Sequence, residues 1–143
     1  MIKKVLLLTL LAIVAESARS QDQISGFWMA QEGKTIVEIS RVDPVYQEGT
    51  IVWLESPNNR KGEPLTDQMN PDKQLRDQTI LGLTMLKDLV YKNGQWFGKL
   101  YAPKRGKTLD VVLSLPKPDE LQLDVSFRGF RKTQTWVKTT PVP

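Results

Sequence analysis

The chain has 143 residues, of which 40% are hydrophobic, with a formal net charge of +4, no histidine and no cysteine. This length suffices for one domain with its own core, and the absence of cysteine excludes disulfides, cysteine nucleophiles and thiolate metal sites. The missing histidine removes the usual general base at neutral pH, and so small a net charge gives no argument for nucleic-acid binding.

The chain begins with the features of a secretory signal peptide. A basic start precedes an apolar run over 5–15, which is too short to span a bilayer and typical of a signal-peptide core. Small residues then give the pattern of a cleavage site, so 1–20 is predicted to be a signal peptide cleaved between Ser20 and Gln21. We therefore expect an exported protein, periplasmic or secreted, with 21–143 as a single domain and no later membrane span.

Alternating apolar and polar residues predict β-strands in the rest of the chain. In 107–115, for example, Leu109, Val111 and Leu113 share one face, which is typical of a half-buried strand. Prolines in 116–120 are expected to stop this strand and open a turn. The strand-like segments are 25–30, 34–42, 49–54, 95–102, 107–115, 121–127 and 133–138.

The segment 78–91 fits two structures. Its apolar residues have a helical spacing, whereas Gly82 disfavours a helix and the sequence Lys-Asn-Gly at 92–94 is typical of a hairpin turn. We predict a strand over about 79–86, followed by a turn or a short helix.

About eight strands with short connections predict an all-β fold, an antiparallel up-and-down β-barrel. The one long connection covers 55–78, and loops of this length in compact domains are usually functional or disordered. Asp67, Asn70 and Pro71 predict a stiff turn, because Asp and Asn bond to nearby amides and proline fixes φ. Arg76 is expected to pair with Asp67, so that these four residues brace the loop.

Seven motifs, taken in order, resemble the exported bacterial domain-of-unknown-function family 2147: GFWM, GTIVWL, TDQMNPD with LR, LGLTML, QWFGKLYAP, GKT and TQTW. The resemblance covers residues 26–138. It implies a fold similar to calycin and lipocalin-like barrels, with no established biochemical activity. The positions that it carries over are Gly26, Trp28, Asp67, Asn70, Pro71, Arg76, Gly82, Trp96, Gly98, Tyr101, Pro103, Gly106, Lys107 and Trp136.

The tryptophans support two interpretations of the barrel interior. They come from four predicted strands, and they either fill the interior as core side chains or line an apolar cavity. In the second case Tyr101, Arg76 and Lys107 ring the mouth, which suits a small apolar or amphipathic molecule with an acidic head. The candidate ligand-binding residues are Trp28, Trp53, Arg76, Trp96, Tyr101, Lys107 and Trp136.

Three functions remain open: a lipocalin-like carrier of a small ligand, a non-enzymatic envelope module with a filled barrel, and a hydrolase. A pair of carboxylates can hydrolyse glycosides, but Asp67, Asp72 and Asp77 lie in one loop and nothing places two of them across a substrate. The same loop lacks the dense acids of calcium sites. No catalytic residue, metal or cofactor is therefore predicted.

Positive charge is concentrated late in the sequence. Residues 99–143 hold 9 basic and 4 acidic side chains, and the basic ones cluster at 103–107 and 127–132. Such clusters are usually solvated turns. The functional interpretation is a site for an anionic ligand or for the outer face of an anionic membrane.

Overall fold

The computed structural model describes residues 20–143, in which eight antiparallel strands form a closed barrel. The predicted up-and-down barrel is thus confirmed, while residues 1–19 of the predicted signal peptide lie outside the described residues. Within the described range, no helix has the length and apolar character needed to cross a membrane. The strands are β1 (Gly26–Met29), β2 (Thr35–Arg41), β3 (Tyr46–Leu54), β4 (Thr84–Lys92), β5 (Gln95–Ala102), β6 (Lys107–Lys117), β7 (Glu120–Phe127) and β8 (Phe130–Thr139).

Apolar side chains from all eight strands fill the barrel. Trp28, Trp96 and Trp136 are at most 1% exposed, and isoleucine, leucine and valine side chains pack around them in one continuous cluster. The alternation along each strand produces this cluster, because every second side chain points inward. Strand β8 pairs with β1 and closes the sheet around it.

A bulge in β4 explains the helical spacing within 78–91. The strand begins later than the predicted 79–86, and Leu86 and Leu89 are both buried although they are three residues apart. Asp88 between them has a positive φ of 55°, and the pairing with β5 changes register at this point. The extra residue of the bulge returns Leu89 to the inner face of the strand.

Pro116 does not end β6, contrary to the prediction. The strand continues to Lys117, and the register with β7 shifts between Ser114 and Lys117. A bulge tolerates a residue that has no N–H to donate to the ladder. The turn therefore shortens to residues 118–119.

The N-terminal segment closes one end of the barrel. A 3-10 helix over Asp22–Ile24 leads into β1, and Ile24 is fully buried in the core. The side-chain amide of Gln47, at the start of β3, donates to the carbonyl of Gln21 at 3.0 Å and to Asp22 at 3.1 Å. We call this the closed end.

The opposite end carries the β1–β2, β3–β4, β5–β6 and β7–β8 connections, because alternate turns of an up-and-down barrel lie at the same end. We call it the loop end. The long β3–β4 connection covers 55–83, slightly more than the predicted 55–78, and contains a 3-10 helix over Lys73–Leu75.

Candidate functional site

The three buried tryptophans act as core side chains. Each indole N–H already donates to a protein oxygen, so these groups need no ligand to satisfy them. Trp53, by contrast, is only half-buried on β3. The three donor–acceptor pairs are Trp28 to the carbonyl of Ile24 (2.8 Å), Trp96 to the carbonyl of Gln21 (3.0 Å) and Trp136 to Oε1 of Gln134 (3.2 Å).

A buried carboxylate organises the loop over 55–83. Asp67 is fully buried, and its Oδ2 accepts hydrogen bonds from Nδ2 of Asn70 at 2.8 Å and Nε2 of Gln78 at 3.1 Å. Its Oδ1 accepts from the hydroxyl of Tyr101 at 2.8 Å. None of the ion pairs within residues 20–143 involves Asp67. Three neutral donors therefore replace the water that this charge loses on burial.

Arg76 does not pair with Asp67, contrary to the prediction. Its Nε donates to the backbone carbonyl of Asn70 at 2.8 Å, and Oδ1 of Asn70 accepts from the amide of Asp72 at 2.9 Å. Pro71 is exposed between these residues. The guanidinium group thus stabilises the turn through its backbone and leaves the buried carboxylate without a cation.

Tyr101 and Gly106 attach the loop to the outer wall of the barrel. Side chains alternate along β5, so Tyr101 lies on the same outer side as the exposed Phe97 and Lys99, yet it is buried. Gly106, in the β5–β6 turn, has φ +60°, and a Cβ there would lie 1.8 Å from the carbonyl oxygen of Met69. The loop therefore packs against the outside of β5 and its turn.

The predicted ring of three residues around an interior mouth does not form. Tyr101 contacts the loop on the outer wall, Arg76 is used within the loop, and Lys107 lies over the ring of Phe127, with Nζ 5.3 Å from the centroid. The candidate ligand-binding residues are therefore distributed over the interior, the outer wall, the loop and the loop end.

The environment of Tyr101 keeps its phenol protonated. Burial, which removes water from the phenolate, together with the hydrogen bond and negative charge of Asp67, raises the pKa of Tyr101 to about 12. At neutral pH the hydroxyl is a hydrogen-bond donor to the carboxylate.

The acids of the loop do not converge on one point. Asp67 is buried with its own donors, and Asp72 accepts from the amide of Gln74 at 3.0 Å at the start of the 3-10 helix. Over residues 20–143, no group of three or more metal-ligating side chains comes together.

A cleft of about 370 Å³ opens on the outer wall of β5, β6 and β7, and we call it the outer cleft. Lys99 and Asp110 form an ion pair across two of these strands, and the guanidinium carbon of Arg128 lies 5.2 Å from the centroid of the Phe127 ring. The lining residues are Lys99, Thr108, Asp110, Ser126, Phe127, Arg128 and Gly129.

The lining residues of the outer cleft were not among the predicted site residues. Thr108, Asp110 and Ser126 alternate with the inward-facing apolar side chains of β6 and β7, and polar strand faces are ordinarily solvated. The feature that indicates this site is the pairing register of β6 with β7. Asp110 lies opposite Ser126, and this places the polar faces of both strands beside the basic cluster at 127–132.

Gly106→Ala is expected to detach the loop from the β5–β6 turn. A Cβ would collide with the carbonyl of Met69, and a positive φ is unfavourable for residues with a side chain. Limited proteolysis should therefore cut the variant within 55–83 faster than the wild type. Gly33→Ala is the matched control, because Gly33 has φ +73° and its added Cβ meets nothing within 4 Å. Equal cleavage of the two variants would contradict this role of Gly106.

Tyr101→Phe is expected to lower the free energy of unfolding at pH 7 by about 1–3 kcal/mol, because Asp67 loses a donor while it stays buried. The difference from the wild type should shrink between pH 10 and 12. Between pH 10 and 12 the tyrosine is ionised in the unfolded chain but still protonated in the folded protein. Unfolding of the wild type is therefore favoured by release of this proton, and the stability that the Tyr101 hydroxyl contributes is lost as the pH rises. The variant has no such hydroxyl and is unaffected.

Urea denaturation at several pH values, followed by tryptophan fluorescence, measures this difference. Tyr46→Phe is the control, because Tyr46 is 42% exposed and should give no such change. A Tyr101→Phe difference that stays constant from pH 10 to 12 would show that the folded protein does not hold this proton.

Comparisons with known proteins give the family and the fold. A family model described as "uncharacterized protein conserved in bacteria (DUF2147)" matches residues 26–138. Among solved structures, protein HP1028 from the human pathogen Helicobacter pylori, described as belonging to the lipocalin family, is similar with a TM-score of 0.69. The two are 23% identical, over 82% of this chain and 83% of that chain. A comparison with curated proteins found no match. The fold is therefore lipocalin-like, the resemblance seen in the sequence is confirmed, and the chain belongs to the bacterial DUF2147 family.

Proposed function

We propose that the protein is an exported, non-enzymatic binding protein that takes a small anionic amphipathic molecule in the outer cleft. The observation that carries this proposal is the composition of the cleft. The ring of Phe127 provides an apolar surface, Thr108 and Ser126 provide hydroxyls, and Lys99 and Arg128 provide positive charge within about 370 Å³. Sites for small ligands combine an apolar wall with a few polar groups and begin near 300 Å³.

The packing of the interior supports an external site. Trp28, Trp96 and Trp136 are at most 1% exposed and belong to one continuous apolar cluster. A ligand that entered this cluster would have to separate side chains that already pack against one another. A ligand in the outer cleft displaces only solvent.

The charges of the cleft favour a ligand with one negative group. Lys99 already pairs with Asp110, whereas Arg128 lies against the face of the Phe127 ring and its guanidinium group makes no hydrogen bond or ion pair within residues 20–143. A carboxylate or phosphate can therefore accept from Arg128 while an attached apolar chain covers Phe127. A second anionic group would be repelled by Asp110.

The other parts of the proposal rest on the sequence. Residues 1–20 have the pattern of a signal peptide, which supports export. The absence of histidine and cysteine, together with loop acids that do not converge, supports a protein without catalytic activity.

The filled interior also favours a second candidate, a non-enzymatic envelope module that binds no small ligand. The two candidates differ in the outer cleft, since only the binding protein needs it. A titration with a simple amphiphile therefore separates them.

Octanoate is the probe for the outer cleft, and uncharged octanol is its matched control. In an NMR titration, octanoate should shift the amide resonances of Ser126 and Gly129 and leave the indole N–H resonances of the three buried tryptophans unchanged. Arg128→Asn should weaken binding roughly fivefold, the equivalent of about 1 kcal/mol for an exposed ion pair. Asparagine tolerates the φ of 47° at this position, so the turn is retained. Lys117→Gln, at the closed end, should bind octanoate like the wild type.

The outcomes of this titration are distinct. Shifts of the indole resonances would place the ligand inside the barrel and contradict the proposed site. Equal binding of octanol and octanoate would contradict an anionic ligand. No shift with either probe would favour the envelope module.

Export gives a separate expectation. Protein recovered from the compartment to which the cell delivers it should begin at Gln21, because cleavage follows the small residue at Ser20. Intact-mass measurement checks this. A mass that retains residues 1–20 would contradict cleavage.

A further inference from the structure

We propose that the loop end of the barrel docks onto the surface of an anionic phospholipid bilayer through a basic rim. The basic rim is formed by the β5–β6 and β7–β8 turns and the first residues of the strands that follow them. The exposed side chain of Phe130 belongs to it, at the first position of β8. Its six cations, all exposed, are Lys104, Arg105, Lys107, Arg128, Arg131 and Lys132.

The two turns form one surface. Nζ of Lys107 lies 5.3 Å from the centroid of the Phe127 ring, and the guanidinium carbon of Arg128 lies 5.2 Å from the same centroid. The first cation follows the β5–β6 turn and the second belongs to the β7–β8 turn. Pairing of β6 with β7 holds the turns side by side, so the six charges share one end of the barrel.

The cations of the rim are not neutralised by ion pairs within residues 20–143. The ion pairs within the described residues are Arg41–Asp22, Lys99–Asp110 and Lys117–Glu120, and none of them uses a rim cation. The sequence has no acidic residue in 99–109 or in 125–138. Clustered charge of one sign produces a local positive potential that attracts anionic surfaces.

Exposed apolar side chains accompany the charge. Phe130 is 80% exposed, directly after a two-residue turn in which Arg128 and Gly129 have φ values of 47° and 83°. Met69 is 58% exposed, and its carbonyl packs against Gly106 beside the other turn. Aromatic and apolar side chains between cations are typical of proteins that lie in the interface of a membrane.

A bilayer fits this arrangement better than a soluble anion. A small anion contacts one or two cations, whereas a surface contacts cations on both turns at once. The side chain of Phe130 can also enter the edge of the hydrocarbon region and leave water. A dissolved anion offers no such apolar environment. A basic residue near an anionic leaflet contributes about 1 kcal/mol, so six together suffice for binding without a membrane-spanning segment.

Sedimentation with lipid vesicles tests the proposal, using the protein in the form that the cell accumulates. We expect binding to vesicles of phosphatidylcholine mixed with phosphatidylglycerol, and little binding to phosphatidylcholine alone. Lys104→Gln with Arg105→Gln should lower the partition coefficient about tenfold or more, since two interfacial charges are lost. Phe130→Ser should lower it about tenfold, and added salt should weaken binding of the wild type.

Matched variants at the closed end are the controls. Lys92→Gln with Lys117→Gln removes the same charge, and Val45→Ser alters a side chain that is 51% exposed. Both should bind vesicles like the wild type. Equal losses in the rim and control variants, or equal binding to neutral vesicles, would overturn the proposal. Displacement by millimolar glycerol 1-phosphate would also overturn it, because the headgroup alone would then be the ligand.

This inference does not rest on the proposed small-ligand site. Lys104, Arg105 and Phe130 do not line the outer cleft. Failure of octanoate to bind therefore leaves the vesicle experiment intact, and failure of vesicle binding leaves the titration with octanoate intact.

Discussion

The carboxylate of Asp67 is the group on which the loop end depends. It is a charge removed from water that pairs with no cation among residues 20–143, so its burial is tolerated only while its three donors are in place. Asn70 and Gln78 belong to the loop, and Tyr101 belongs to the barrel wall. The internal fold of the loop and its attachment to β5 are therefore one cooperative unit, because losing either leaves a buried charge with too few partners.

The same attachment fixes the neighbouring turn. The carbonyl of Met69 packs against Gly106, so a loop held by Asp67 also restrains the β5–β6 turn. That turn lies beside the β7–β8 turn through the pairing of β6 with β7. The loop held by Asp67 thus restrains one of the two turns that carry the basic rim, although the rim does not contain Asp67.

Much of the fold could be predicted because each strand buries one face. Alternation alone gave β5 its observed bounds, 95–102, and located the other strands to within a few residues, except β4. Alternation failed at β4, and the expectation that proline ends a strand failed at Pro116, in both cases where the register of the ladder shifts. A bulge inserts a residue that the period of two does not contain, and at Asp88 the insertion depends on a local positive φ that no side-chain pattern reveals. The site was harder to predict, because opposite charge made Arg76 the expected partner of Asp67, while the observed donor, Tyr101, comes from a distant strand.

The two proposals share Arg128, and this has a thermodynamic consequence. A ligand whose anionic group binds Arg128 in the outer cleft neutralises one of the six charges of the rim. Since one basic residue contributes about 1 kcal/mol at an anionic surface, the loaded protein should hold the bilayer roughly fivefold less tightly. Linkage is reciprocal, so the bilayer must weaken ligand binding by the same factor. A single arginine at the junction of the two surfaces therefore makes ligand uptake and docking oppose each other, and filling the cleft shifts the protein away from the membrane by about that factor of five.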